Sequence, residues 1–177
     1  MKTNKLKKFA KIILLSASAM TILVSTAGWS YKEGYRINIT TSLPPGIWKI
    51  NTNYTEIKKG DYIWFRPSQK IINLSIEKGL FSKPIPFLKQ VIGRPGDVYR
   101  FENNALVLND CKLKKIIRKE IGSKGLAMPM IPPGKVPRNH YFVITSHPLS
   151  FDSRYFGPVA GNNIIGIAKP IFVWAYR

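Results

Sequence analysis

The feature that most constrains this chain is an uncharged run from Ile12 to Trp29, IILLSASAMTILVSTAGW, placed directly behind a basic start. As a helix, about eighteen residues at ~1.5 Å rise come close to the ~30 Å hydrocarbon thickness of a bilayer. Lys2, Lys5, Lys7, Lys8 and Lys11 precede the run and should stay cytoplasmic by the positive-inside rule. Trp29 and Tyr31 stand where interfacial aromatics usually sit. Residues 1–11 therefore read as a basic cytoplasmic segment, 12–29 as a transmembrane anchor, and 30–177 as one exported domain. The same run also fits a cleaved signal peptide, with a basic start, an apolar middle, and Ser25 and Ala27 as a small minus-three/minus-one pair. Either reading carries the domain across the membrane.

A hydrophobic share of 45% is enough for the exported part to build its own core. Cys111 is the single cysteine, which excludes an intramolecular disulfide and a thiolate metal cluster. A cysteine protease would need His140 or His147 beside that thiol; all three read instead as loop residues and a bystander. Lysine and arginine number 28 against 9 acids, a net charge of +19, which raises nucleic acid, anionic membrane or acidic protein as partners. The cluster Lys112, Lys114, Lys115, Arg118, Lys119 and Lys124 reads as a solvated face or a contact with anionic lipid. An outward-facing domain rarely meets DNA unless DNA is being exported.

Short runs rich in β-branched and aromatic residues follow the apolar segment, punctuated by Gly, Pro, Asn and Asp. They predict strands over Tyr35 to Thr40, Gly46 to Ile50, Asp61 to Phe65, Leu88 to Ile92, Asp97 to Phe101, Ala105 to Leu108, Tyr141 to Thr145 and Ile164 to Tyr176. The best helical candidate, Lys112 to Ile121, is short and reads equally as strand or loop.

Four constellations carry chemistry. In Asn38-Ile39-Thr40-Thr41-Ser42-Leu43-Pro44-Pro45-Gly46 a strand-like run ends in hydroxyls and breaks at two prolines and a glycine; by itself it describes a turn. Pro86-Phe87-Leu88-Lys89-Gln90-Val91-Ile92-Gly93-Arg94-Pro95-Gly96-Asp97 puts a lysine inside an apolar strand, on the face of Phe87 and Val91. Desolvation there lowers an ammonium pKa, so a neutral lysine can serve as a general base for a serine, unless its head snorkels to solvent. Gly60-Asp61-Tyr62-Ile63-Trp64-Phe65 is a turn feeding a strand. Ser150-Phe151-Asp152-Ser153-Arg154-Tyr155-Phe156-Gly157 packs hydroxyls, an acid and a base among aromatics, polar groups that must bond one another if buried.

In this order, behind a membrane segment, the four resemble the successive boxes of the signal peptidase I family (peptidase S26). The Asn38-x-Thr40-x-Ser42-x-Pro44-x-Gly46 spacing is similar to its conjugative-transfer, TraF-like branch rather than to the Ser-Met-x-Pro-Thr of typical bacterial members. The resemblance implies a mainly β, coiled antiparallel-sheet domain behind one transmembrane helix. Its active site would lie near the membrane surface, where Trp48, Trp64 or Phe81 dip into the interface unless they belong to the core. It implies Ser42 as nucleophile and Lys89 as base. Thr40 and the Ser42 backbone N–H would form the oxyanion hole, with Asp152, Ser153 and Arg154 supporting the site and Ser153 bonding Lys89 directly. No metal or cofactor is implied. The implied substrate is an exported preprotein, such as a conjugative pilin or related transfer protein, cleaved outside the bacterial inner membrane and in some relatives cyclised, with Asp152 at the position of the acid concerned. Two alternatives stand beside this reading: a non-catalytic basic assembly factor of a transfer apparatus, and a LexA-type self-cleaving Ser/Lys protein.

Overall fold

The computed structural model describes residues 2–40, 42–81, 84–122 and 124–174, with side chains from Lys7 onward. The chain divides into two compact units, residues 1–36 and 37–177. The first is built on one helix, α1 (Lys2–Lys32), whose stretch Lys7–Lys32 is long and apolar enough to cross a membrane. Its outward side chains, Ile12, Leu14, Leu15, Ile22 and Leu23 among them, are exposed; a soluble helix would bury such a set.

The second unit is mainly β and antiparallel. β1 (Tyr35–Asn38), β2 (Gly46–Asn51), β3 (Tyr62–Phe65), β4 (Phe87–Gly93), β9 (His140–Ile144), β10 (Val159–Ala160) and β11 (Ile164–Val173) form a seven-stranded sheet in the order β1-β2-β11-β3-β4-β9-β10. A four-stranded sheet holds β5 (Val98–Glu102), β6 (Ala105–Leu108), β7 (Cys111–Ile117) and β8 (Gly134–Lys135), ordered β7-β6-β5-β8. Among the described residues the unit also holds two short α-helices, α2 (Gln69–Glu77) and α3 (Ser153–Phe156), and one 3-10 turn at Gly161–Asn163. The expected strands at 35–40 and 164–176 end sooner, at Asn38 and Val173, and Tyr176 lies outside the described residues.

Position matters most for β4. It lies between β3 and β9, with Ile63 opposite Lys89 and Trp64 opposite Leu88. Because side chains alternate, Leu88 joins a cluster with Leu43, Trp48, Ile50 and Ala168. Phe87 and Val91 join the other cluster, with Ile63, Phe65, Val143, Phe151, Tyr155 and Phe156. Both faces of the strand are thus covered, and Lys89 is directed into the second of these cores. Beyond the strand, Gly96 turns the chain with φ +95°, a region that side-chain-bearing residues rarely adopt. The Asp97 carboxylate accepts the Arg94 N–H at 2.7 Å and closes that turn.

The candidate helix Lys112 to Ile121 is a strand over its first part. Asn109 and Asp110 both have positive φ, +48° and +63°, as a two-residue hairpin turn of type I′ requires, so the chain folds back with Cys111 opposite Leu108 and Leu113 opposite Leu106. Asn103 and Asn104 make the same turn between β5 and β6, with φ +50° and +63°. Lys112, Lys114 and Lys115 stay exposed on β7, an edge strand of the kind lysines shield from further pairing. Trp48, suggested above for the membrane interface, is 1% exposed and belongs to the core. Trp64 and Phe81 are half-buried, packed against core clusters.

Candidate active site

One cleft of about 780 Å³ gathers residues from all four constellations: Asn38, Thr40 and Ser42 from the first, Phe87, Leu88 and Lys89 from the second, Trp64 from the third, and Ser150 and Phe151 from the last. Its remaining wall is largely apolar, including Ile39, Phe81 and Leu149. Cys111 lines a different hollow.

The serine side is local. Asn38 ends β1, and the chain then turns through Thr40 and Ser42 before Gly46 opens β2. Gly46 has no room for a side chain, since a Cβ there would fall 2.8 Å from the Val173 Cα. The Thr40 hydroxyl donates to Asn38 Oδ1 at 2.7 Å and lies 3.3 Å from Ser42 Oγ. Leu43, 6% exposed, plugs into the cluster that also holds Leu88, so the residue after Ser42 packs in the same core as the residue before Lys89.

The lysine side is tertiary. Lys89 is 6% exposed and its Nζ donates to Ser150 Oγ at 2.9 Å. Its ammonium does not snorkel out. Burial pulls its pKa down from 10.5 to about 8; the Asp152 charge opposes that fall and the Arg154 charge adds to it. Such a lysine is partly neutral near pH 7 and able to accept a proton.

Behind it, Asp152 and Arg154 are fully buried and paired, with Arg154 Nε 2.8 Å from Asp152 Oδ1 and Nη2 2.7 Å from Oδ2. The rest of the guanidinium binds carbonyls: Ile117 O at 3.0 Å, His147 O at 3.0 Å and Ser150 O at 3.3 Å. Asp152 also accepts the Thr145 and Arg154 N–H groups, the second of these capping α3. The pair thereby fixes the backbone that carries Ser150, and through it the lysine head.

Here one expectation is corrected. Ser153 does not take the Lys89 bond; Ser150 does. As the first residue of α3, Ser153 turns its Oγ to accept the Val143 N–H at 2.9 Å, while Ser150, three residues earlier at the end of a turn its N–H closes on His147 O, reaches Nζ. The density of polar groups between Ser150 and Arg154 pointed to the segment but not to the member that faces the lysine.

A family model described as signal peptidase, peptidase S26, matches residues 6–174. The conjugal transfer protein TraF of Agrobacterium fabrum (strain C58 / ATCC 33970) is 26% identical over 151 residues, covering 80% of this chain and 84% of its own length. The plasmid transfer protein TraF of Escherichia coli is 25% identical over 187 residues, 97% of this chain and 99% of that protein. Signal peptidase I V of Bacillus subtilis (strain 168) is 30% identical over 130 residues, 67% of this chain and 68% of its own. Among solved structures, the signal peptidase I of Enterococcus faecalis V583 superposes with a TM-score of 0.42 and 23% identity, over 65% of this chain and 98% of that one.

Proposed function

Because the chain belongs to the signal peptidase family, peptidase S26, we propose that it is a membrane-anchored Ser/Lys endopeptidase that removes leader peptides from exported proteins of a conjugative transfer apparatus, a pilin or related transfer protein among them. The observation that carries this reading is Lys89, a buried amine with its pKa lowered to about 8, lining the same cleft as Ser42.

In the proposed reaction neutral Lys89 takes the Ser42 proton as Oγ attacks the scissile carbonyl, and an acyl-enzyme forms with departure of the amine, which Lys89 protonates. The Ser42 N–H and the Thr40 hydroxyl hold the developing oxyanion. Asp152, Ser153 and Arg154 support the site through the backbone of residues 143–154, and Ser150 holds Nζ. Release by water gives a peptidase; release by an amine closes a ring. The full burial of Asp152, with its oxygens committed to Arg154 and backbone N–H groups, favours a structural part for this acid over one in handling an incoming amine. By the lysine distribution of the first eleven residues, α1 spans the bacterial inner membrane and the domain from residue 30 lies outside it, where exported substrates emerge. The names of the TraF relatives support the transfer setting.

The test is cleavage of a candidate pre-pilin in membranes by wild type, Ser42→Ala and Lys89→Ala, with the product weighed by mass spectrometry. Loss of cleavage in both variants, with a wild-type product lighter by the leader alone, is the expected result. A further loss of one water identifies ring closure. Equal cleavage by all three overturns the dyad and leaves the assembly-factor reading.

A further inference from the structure

Asn38 takes no part in the steps above, yet its side chain is the most heavily bonded group beside Ser42. It ends β1 with 6% of its surface exposed, a costly site for an amide unless its polar atoms are matched. Nδ2 donates toward Thr40 O at 3.3 Å, Leu43 O at 3.1 Å and Pro44 O at 3.2 Å. Oδ1 accepts the Thr40 N–H at 3.1 Å and the Thr40 hydroxyl at 2.7 Å. The amide orientation follows from its partners, because exchanging O and N would face three carbonyl oxygens with a fourth. A carbonyl oxygen only accepts, so the one proton on Thr40 Oγ1 belongs to this bond. Toward Ser42 Oγ, 3.3 Å away, Thr40 is then left as the acceptor of the serine proton.

We propose that Asn38 is a positioning residue of the acyl-transfer step: it ties the backbone on both sides of Ser42 and holds the Thr40 hydroxyl proton on Oδ1 until an oxyanion appears. The inference rests on the Ser42/Lys89 reading. As the substrate carbonyl becomes an alkoxide, the Thr40 O–H turns from Asn38 Oδ1 to the new oxyanion. The proton stays covalently on Thr40, and one hydrogen bond is exchanged for another. The direction of exchange follows from charge, since a bond to an ionised acceptor is roughly twice as strong as one between neutral groups. Asn38 Oδ1 keeps the Thr40 N–H and so is not left without a donor. The ties to Thr40 on one side and to Leu43 and Pro44 on the other hold the Ser42 N–H, the second oxyanion donor, in place before substrate arrives. Donors fixed in advance need no reorganisation when charge develops.

The experiment measures kcat and KM for the full-length chain in detergent on a fluorogenic peptide with alanine at minus-three and minus-one. The variants are Ser42→Ala, Asn38→Ala, Asn38→Asp, Thr40→Val and the double Asn38→Ala/Thr40→Val. Asn38→Ala should lower kcat about 10- to 100-fold, the scale of a small misplacement of catalytic groups, with KM within about threefold. In the Thr40→Val background the same change should cost at least about fivefold less, the non-additivity of residues acting as a unit. Should Asn38→Ala lose its cooperative thermal transition, Asn38→Asp carries the test, because it keeps the size and both bonds to Thr40 while setting an oxygen against three carbonyls. Its kcat should fall at pH 8 and recover relative to wild type as acid protonates the carboxyl and restores a donor. An unchanged kcat in the folded Asn38 variant, an equal loss in both Thr40 backgrounds, or an Asn38→Asp to wild-type ratio independent of pH overturns the proposal. An active Ser42→Ala overturns the reading beneath it instead.

Discussion

Replacing Lys89 by methionine should make the folded protein more stable near neutral pH and inactive. The two side chains have similar length, but Lys89 is only 6% exposed, on the strand face of Phe87 and Val91. Its pKa falls from 10.5 to about 8 on folding, so between those values the unfolded chain binds the proton more tightly than the folded one. The sign follows: the contribution of Lys89 is most favourable above about 10.5, worsens as pH falls toward 8, and is constant below. At pH 7 this amounts to about 3 kcal/mol of destabilisation. Methionine removes that cost but strands the Ser150 hydroxyl, now bonded to Nζ at 2.9 Å, for a loss of ~1 kcal/mol. A net gain of about 2 kcal/mol remains at pH 7, and it is gone by about pH 10, where the residual desolvation cost no longer exceeds the loss at Ser150. Urea denaturation of both proteins at pH 6.5 and 10 measures it. A variant less stable than wild type at pH 6.5, or a difference that does not shrink with pH, would refute the claim that the lysine is held there against a desolvation cost.

The kcat/KM of the wild type should rise about tenfold per pH unit up to about 8, where Lys89 loses its proton, and level off above it; a profile flat from pH 6 to 9 would remove Lys89 as the base. Asp152→Ala leaves Arg154 buried without its partner, both side chains being 0% exposed, and should cost about 3–5 kcal/mol in a denaturation experiment. A loss below ~1 kcal/mol would mean that the carbonyls of Ile117, His147 and Ser150 satisfy the guanidinium by themselves.

What the sequence disclosed depended on how local the cause was. Strand alternation around Lys89 foretold that it shares a core with Phe87 and Val91, because period two is set by the backbone alone. The Asn-Asn and Asn-Asp pairs at 103–104 and 109–110 carry a hairpin signal, and the second pair folds residues 111–117 back as a strand. α2 leaves little trace in the sequence because nine residues offer little periodicity; Ile71 and Ser75 are its only buried positions, although Ser68 ahead of it has the form of a helix start. The exchange of Ser153 for Ser150 was beyond reach for a different reason. Which hydroxyl meets Lys89 is set by the single turn of α3 and by where β9 presents the Val143 N–H, a tertiary relation that spacing along the chain does not encode.

The two halves of the site are stabilised by different means, and this bears on how each can be altered. The Ser42 turn is tied by one amide to carbonyls within six residues, so its geometry is written into the Asn38-to-Pro44 sequence. The lysine half depends on a buried ion pair that organises two carbonyls of its own segment, those of His147 and Ser150, and the distant carbonyl of Ile117, an arrangement whose net stabilisation is small and whose disruption is expensive. The bonds of the pair bear on placement, since the guanidinium holds the Ser150 carbonyl directly. The cleft is where the two systems face one another, with Leu43 and Leu88 packed in one cluster beneath them. That shared apolar floor packs the Ser42 turn against the strand that carries Lys89.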